Sequence, residues 1–290
     1  MGSEEMVTEA ERSTLAEFGS VHGLWRADDA IEVLARRDEN TTFRIGDIVV
    51  RRGVDAEAVG REVALLRALA DATAVPVPVP LFHAEDLGMF AYRRLPGAPL
   101  LQHPLSHDAD VTAAIVEVLR ALRAVPEAAR LPVDDYPERE WHRDAIRDFN
   151  AVRSRLSPAD ADAVATFLAE DPPPARAERM PQHNDLGAEH ILVDGRGRVA
   201  GIIDWTDAAR TDPARDAGSL YRDLGAAVAY RVSESLGHAV GDDERHRIRF
   251  YARCRWLEDL AFGVEDPVGR GAYLRNARRT FAHVFGDASG

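Results

Sequence analysis

The sequence predicts an α+β protein of two lobes, the first rich in β-strand and the second mainly helical. Three observations carry this. Residues 31–51 alternate apolar and polar side chains with the period of two that a half-buried strand requires. From about residue 106 onward, apolar residues instead recur every three or four positions, the spacing of one helix face. Between the two, RLPGAPL at 94–100 sets Pro-Gly-Ala-Pro where neither pattern continues, which divides the chain into 1–95 and 96–290.

In the first lobe Ile31, Val33, Phe43, Ile45 and Ile48 to Val50 read as a β-meander, broken by the polar RRDENTT and by Gly46-Asp47. Residues 55–70, DAEAVGREVALLRALA, have helical spacing, with Val59, Val63, Leu66 and Leu69 apolar. Glu62 lies on that stripe, so its carboxylate faces the protein and needs a partner. VPVPVP at 75–80 cannot be helical and leads, extended, into strands around Leu81-Phe82 and from Met89 to Leu95. In the second lobe Ser106 or His107 caps a helix bearing Val111, Ile115, Val118, Leu119 and Leu122, which Pro126 ends; Ser157-Pro158 starts another. DPPPA at 171–175 reads as a linker. HILVD, GRGR and VAGIIDW then make a hairpin, and helical spacing returns at 216–232, 242–262 and 271–284.

With 46% apolar residues in 290, the chain can bury a large core. A formal net charge of −13 repels phosphate backbones, so neither nucleic acid nor an anionic membrane is the expected partner, and a cationic ligand suits the field better. Cys254 is the single cysteine, which excludes an intramolecular disulfide and a multi-cysteine zinc site. MGSEEMVTEAERS has no apolar signal segment, Met6 breaks the myristoylation pattern, and no apolar run has membrane-spanning length. A cytoplasmic monomer is expected.

QHNDLGAEHILVD at 182–194 concentrates proton- and metal-handling groups beside a strand. Asp185 precedes the hairpin, His190 opens its first strand and Asp204 closes its second. The fold-back of the hairpin therefore brings His190 and Asp204 to its open end, where Asp185 can join them. Two chemistries use such a set. A magnesium-dependent phosphoryl transferase needs a carboxylate to orient a hydroxyl and ligands for the metal. A metallohydrolase would spend His183, Asp185, His190 and Asp204 on a transition metal. The hydrolase gives the β-rich lobe no task, whereas nucleotide-dependent transfer needs a strand-borne cation for phosphates and an acid to hold it. Arg51, at the end of IVVRR, and the inward Glu62 supply that pair.

These segments, with VPVPVPL, YRRLPGAPL, HNDLGAEHILVD, GIIDW and DPARD, resemble the aminoglycoside and macrolide phosphotransferases, antibiotic kinases of protein-kinase-like fold; the resemblance covers roughly residues 30–285. It implies that Asp185 is the catalytic carboxylate, that His190 and Asp204 hold Mg2+, and that Arg51, fixed by Glu62, meets the phosphates of GTP or ATP. Most of that family has Asn where His190 stands; the branch like the 2''-aminoglycoside and macrolide kinases has His. Arg51 stands where Lys is commoner, and strand alternation lets only one of Arg51 and Arg52 face inward. Without a Gly-rich loop, the turn at Asn40 and Thr41 is expected to cover the phosphates. Tyr92 would stand beside the purine, with the backbone at Arg94 and Leu95 bonding the base. His183 reads as scaffold, Asn184 as orienting the loop or reaching the metal, and Asp212 and Asp216 as cap and brace.

The acceptor side is expected to hold a small, cationic antibiotic. Glu258 and Asp259 lie on a helix and Glu265 and Asp266 in the following loop, with Glu189 and Asp207 completing an acidic wall; Trp256 either offers a face to a sugar or packs in the core, the second being the stronger expectation. An aminoglycoside leads, with a macrolide or an amino-alcohol metabolite as alternatives. A non-enzymatic nucleotide-binding protein is the reading from a different class.

Overall fold

The computed structural model describes residues 7–37, 39–103 and 109–286. A helix the sequence reading did not anticipate opens it: α1 (Glu9–His22) begins at a capping box in which Thr8 and Glu11 satisfy each other's backbone N–H groups. It is followed by the antiparallel strands β1 (Ile31–Arg36), β2 (Asn40–Ile45) and β3 (Ile48–Gly53), then α2 (Ala56–Ala72), β4 (Pro80–Ala84) and β5 (Met89–Arg93). The five strands form one sheet in the order β1-β2-β3-β5-β4.

Strand alternation gives this sheet two apolar faces. On the outer face Leu15 and Phe18 of α1, with Trp25, pack on Phe43, Ile45, Ile48, Val50, Met89 and Ala91. Val59, Val63, Leu66 and Leu69 of α2 belong to the other core together with Val49, Phe90 and Tyr92. In β3 that parity sends Val49 and Arg51 inward and leaves Arg52 exposed on the outer side. Asp55 caps α2 by accepting from the Glu57 and Ala58 N–H groups, and Glu62 is buried, as its place on the stripe requires.

After β5 the chain turns at Gly97 (φ 92) into the two-residue strand β6 (Ala98–Pro99), where a Cβ on Gly97 would lie 2.6 Å from the Val193 carbonyl oxygen. Then follow α3 (Ala109–Ala124), α4 (Glu138–Val152), α5 (Pro158–Leu168), β7 (Met180–Gln182), β8 (Ile191–Val193), β9 (Val199–Ile202) and β10 (Ala209–Thr211). The caps expected for α3, Ser106 or His107, lie outside the described residues. Ser157 caps α5 through the Asp160 N–H. The expected hairpin is β8–β9, with β6 added to its edge, while β7 pairs with β10.

Two helical expectations need correction. The stretch 216–232 is not one helix: Gly225, at φ 85, divides it into α6 (Ala214–Leu224) and α7 (Ala226–Ser235). Glu265 does not lie in a loop either, because it ends α8 (Asp242–Glu265), which precedes α9 (Gly271–Phe285). α6 runs through the centre of the helical part with its Arg and Asp side chains buried, and α8 packs along it. No helix among the described residues is long and apolar enough to cross a membrane.

Candidate active site

The loop between β7 and β8 and the residue after β9 build the centre. Asp185, His190 and Asp204 meet there: His190 Nδ1 lies 3.5 Å from Asp185 Oδ2, and Nε2 lies 3.5 Å from Asp204 Oδ2. His190 Nδ1–H donates to the Asp185 carbonyl at 2.8 Å, which orients the ring. Burial disfavours the imidazolium, yet the carboxylates of Asp185, Asp204 and Glu189 push its pKa up to about 9. The same burial opposes ionised Asp204, but Arg51 and His190 hold its carboxyl well below the usual range. Among the described residues, Asn184 (φ 67) and Asp204 (φ 63) are the non-glycine residues in the left-handed region, and both flank this centre.

Arg51 reaches into the centre from β3. Its Nη1 donates to Asp204 Oδ1 at 2.8 Å and lies 3.5 Å from Glu62 Oε1, while Nη2 donates to the Thr206 hydroxyl. Thr206 in turn donates to Glu62 Oε2 at 3.2 Å. Burial raises the Glu62 carboxyl to about 6, with Arg51 opposing the rise. The expected pair therefore forms, and it closes on Asp204 as well, so the sheet and the hairpin meet in one buried ion cluster.

Below the loop, His183 is completely buried, and burial with the neighbouring His190 lowers it to about 4. Its Nε2–H donates to the Ile203 carbonyl at 3.0 Å. The Asp216 carboxylate accepts from the His183 and Asn184 N–H groups at 2.8 Å each, and burial raises it to about 6. Asp212, one residue before the Pro213 N-cap of α6, accepts the Ala214 N–H at 3.0 Å. The Asn184 side chain donates to Asp134 Oδ2 at 2.9 Å, away from the metal-handling side. A carboxylate, an imidazole and a further carboxylate at Asp185, Glu189 and His190 offer ligand atoms within 4.8 Å of one another, a donor set that suits a divalent cation. Asp204 Oδ2 is on the same side, its other oxygen being taken by Arg51.

Several contributors escaped the sequence reading. Arg255 of α8 donates to Asp185 Oδ1 (3.0 Å) and to the Asn184 carbonyl (2.6 Å). Arg222 of α6, almost wholly buried, binds Asp223 (2.8 Å), Asp259 (3.0 Å) and Glu189 (3.0 Å). Asp223 anchors the loop by accepting the Ala188 N–H at 2.7 Å. Asp134 and Thr206 complete the set. Only their residue types were visible in sequence, because, the adjacent Arg222 and Asp223 apart, each partner lies tens of positions away.

On the acceptor side the structure separates the expected residues. Glu258 is exposed, and Asp207, though exposed, is raised to about 6 by desolvation and by Asp185 and Asp204. Glu265 is exposed at the end of α8 and paired with Arg270 at 2.7 Å. Asp259 is buried in the Arg222 network, 3.0 Å from Arg222 Nη1, and burial with the nearby Glu189 and Asp223 pushes its carboxyl well up, so it is not a free anion for an acceptor. Glu189 shares Arg222 as well, although it also borders His190. Trp256 is a core residue: its Nε1–H donates to the Ala277 carbonyl at 2.9 Å and its ring meets Phe281 and Phe285 edge-on, which leaves no face for a sugar.

On the nucleotide side, Tyr92 is buried on the inner face and stacks on Phe90 with centroids 5.9 Å apart. The Arg94 N–H is committed to the Asp47 carbonyl at 2.8 Å, so it is not a donor for a base; Leu95 packs over Gly201 of β9. Thr41 shares the outer face with Arg52, and its hydroxyl accepts from Arg36 Nη1 at 3.4 Å. That parity turns it away from the cleft and leaves Asn40, in the opposite phase, on the inner side.

A sequence profile of the phosphotransferase enzyme family matches residues 30–251. Viomycin phosphotransferase of Streptomyces vinaceus is 31% identical over 187 residues, which is 60% of this chain and 63% of that protein, so the match spans less than two thirds of the relative. Among solved structures, the GDP complex of aminoglycoside 2'-phosphotransferase-IIIa superposes with a TM-score of 0.63 at 20% identity, covering 95% of this chain and 99% of the other. Macrolide 2'-phosphotransferase MphH of Brachybacterium faecium gives 0.55 at 20% identity, covering 97% and 99%. This likeness is one of fold, and it agrees with the two-lobed, protein-kinase-like α+β architecture expected from the sequence.

Proposed function

Since the chain belongs to the phosphotransferase enzyme family, we propose that it transfers the γ-phosphate of GTP or ATP to a hydroxyl of a small cationic antibiotic, with an aminoglycoside as the leading acceptor. The observation that carries this is the junction of Arg51–Glu62 from the sheet with Asp204 and His190 of the hairpin, beside Asp185. One side of the junction suits phosphates and the other a hydroxyl.

Asp185 orients the acceptor hydroxyl for in-line attack and takes its proton as the bond to the γ-phosphorus forms and the bond from that phosphorus to the β-phosphate oxygen breaks, releasing the nucleoside diphosphate. His190 Nε2 and the free oxygen of Asp204 would hold Mg2+, with Asp185 and Glu189 near enough to contribute. When bound, that ion would neutralise charge on the phosphates; His190 must give up its Nε2 proton to ligate it. Arg51 offsets charge on the transferring group from the opposite side. Tyr92 and Leu95 would flank the base, and Asn40 would face the phosphates from the β1–β2 turn. Glu258, Glu265 and Asp207 would meet the amines of the acceptor, which supports a polyamine over a mono-amine such as a macrolide.

A metallohydrolase is disfavoured by the same geometry. His183 spends its Nε2–H on a carbonyl, and Arg51 and Arg255 each take an oxygen of a would-be ligand. The test is a phosphate-transfer assay over aminoglycosides, viomycin, macrolides and amino-alcohols, each with Mg2+ and either GTP or ATP. Transfer that Asp185→Asn abolishes in a folded protein is the expected result. Nucleotide binding without transfer to any acceptor favours the binding-protein reading, and transfer undiminished by Asp185→Asn removes Asp185 from the mechanism.

A further inference from the structure

Arg255 enters the centre from α8, and we propose that it is a positioning residue for phosphoryl transfer, fixing the Asp185 carboxylate and the peptide before it so that one oxygen faces the acceptor hydroxyl. This rests on the reading of Asp185 as the carboxylate that receives the hydroxyl proton.

The geometry is a two-point hold. Arg255 Nη1 donates to Asp185 Oδ1 at 3.0 Å and Nη2 donates to the Asn184 carbonyl at 2.6 Å, so a single planar group spans the side chain and the preceding peptide. With Oδ1 engaged, Oδ2 is the oxygen left to the reaction; it lies 3.5 Å from His190 Nδ1, whose proton is spent on the Asp185 carbonyl. The peptide needs such a hold, because Asn184 stands in the left-handed region at φ 67. Asp216 grips its N–H, Asp134 its side chain and Arg255 its carbonyl, so each polar group of Asn184 has a fixed partner.

Arg255 is itself immobilised. It is 8% exposed, its guanidinium carbon lies 5.2 Å from the centre of the Trp141 ring of α4, and Glu258 stands 3.9 Å from Nη1. That last contact gives the hold its use. Glu258 is three positions further on the same helix and faces outward toward the proposed acceptor, so one rigid element sets the position of both the acceptor's amines and the proton-accepting carboxylate. A guanidinium serving only as a strut would have no reason to touch the reactive carboxylate itself.

The experiment uses the full chain with Mg2+ and GTP, kanamycin as acceptor, and acceptor-free GTP hydrolysis as a second readout. Asp185→Asn, Arg255→Gln and Arg255→Lys are compared for kcat, both KM values and the thermal midpoint. Arg255→Gln is expected to lower kcat about 10²-fold, the scale of a misplacement near 1 Å, with KM for GTP within about twofold of wild type. Arg255→Lys, which keeps the charge and loses the second point, is expected to recover about tenfold of that loss. Should Arg255→Gln fail to fold, a reduced kcat at unchanged KM in Arg255→Lys supports the proposal and a wild-type kcat overturns it. If Asp185→Asn is inactive but Arg255→Gln turns over normally, the proposal falls while the reading of Asp185 stands. A joint decline of kcat, affinity and thermal midpoint makes Arg255 a strut and overturns the proposal. Turnover retained by Asp185→Asn, or no turnover of wild type in either readout, overturns that reading and this proposal with it.

Discussion

Replacing Arg222 by Met tests how much of the helical part depends on one buried cation. Its side chain is 2% exposed and lies among Asp223 (2%), Asp259 (10%) and Glu189 (12%), too enclosed for water to screen the change. Met fills the aliphatic volume but leaves three carboxylates facing one another. Removing one partner of a buried ion pair costs about 3–5 kcal/mol, because the remaining charge is stranded in a poor solvent. Asp223 keeps the Ala188 N–H and the Asn276 amide, each at 2.7 Å, so most of the penalty falls on Asp259 and Glu189. At roughly 2 °C per kcal/mol for a chain of this size, the thermal midpoint should fall by about 6–10 °C. Differential scanning calorimetry measures the fall, and a second change, Asp259→Asn, should recover at least a third of it by removing one of the acids that Arg222 no longer pairs. A loss under about 2 °C, or a double variant no more stable than Arg222→Met, would refute the account of this network as three acids held by one cation.

Four further outcomes follow from other parts of the structure. Trp256→Ala should cost about 3–5 kcal/mol in urea unfolding while leaving the acceptor KM of the remaining folded enzyme unchanged, as expected of a core ring and not of a sugar platform. Gly97→Ala should destabilise by about 1–3 kcal/mol in the same assay, since φ 92 and the Val193 oxygen both oppose a side chain. Glu11, lowered to about 2 by Arg36, contributes stability that is complete above its ordinary pKa of 4.5 and lost as pH falls toward 2. The advantage of wild type over Glu11→Gln, at most about 3 kcal/mol at pH 6, should therefore shrink through that window; a constant difference would contradict the Arg36 pairing. Glu62→Gln keeps the volume but loosens Arg51, and should lower kcat/KM for the nucleotide about tenfold or more with the fold intact by circular dichroism.

What could be read in advance was what short-range periodicity encodes. The parity of β3 admits only one of Arg51 and Arg52 to the inner face, with the family motif's register pointing to Arg51; the stripe of α2 turned Glu62 inward, and the β8–β9 hairpin brought His190 to Asp204. The same reasoning failed where apolar positions are sparse: Trp141, Ala145, Phe149 and Val152 define one face of α4, but charged residues crowd between them. It failed also for Asp259, whose place on a helix was right but whose partner, Arg222 of α6, no local pattern shows; Trp256 took the core place that was its stronger alternative, under α9. Arg255 and Asp185 are 70 positions apart, and no local pattern encodes a contact at that separation. The capping box at Thr8 and Glu11 is the exception, a signal present in the sequence and passed over.

Asn184 and Asp204 carry a consequence for anyone who would improve this protein. Glycine would relax the backbone at both positions, and selection for heat resistance alone would reward it at Asn184, where the side chain makes one short bond to Asp134 and accepts a long one, 3.5 Å, from Arg215. The gain would come from slackening the peptide that aims Asp185. Robustness and competence are thus traded at two identifiable backbone angles, and a library screened only for survival at high temperature would drift toward a sturdier, idler molecule.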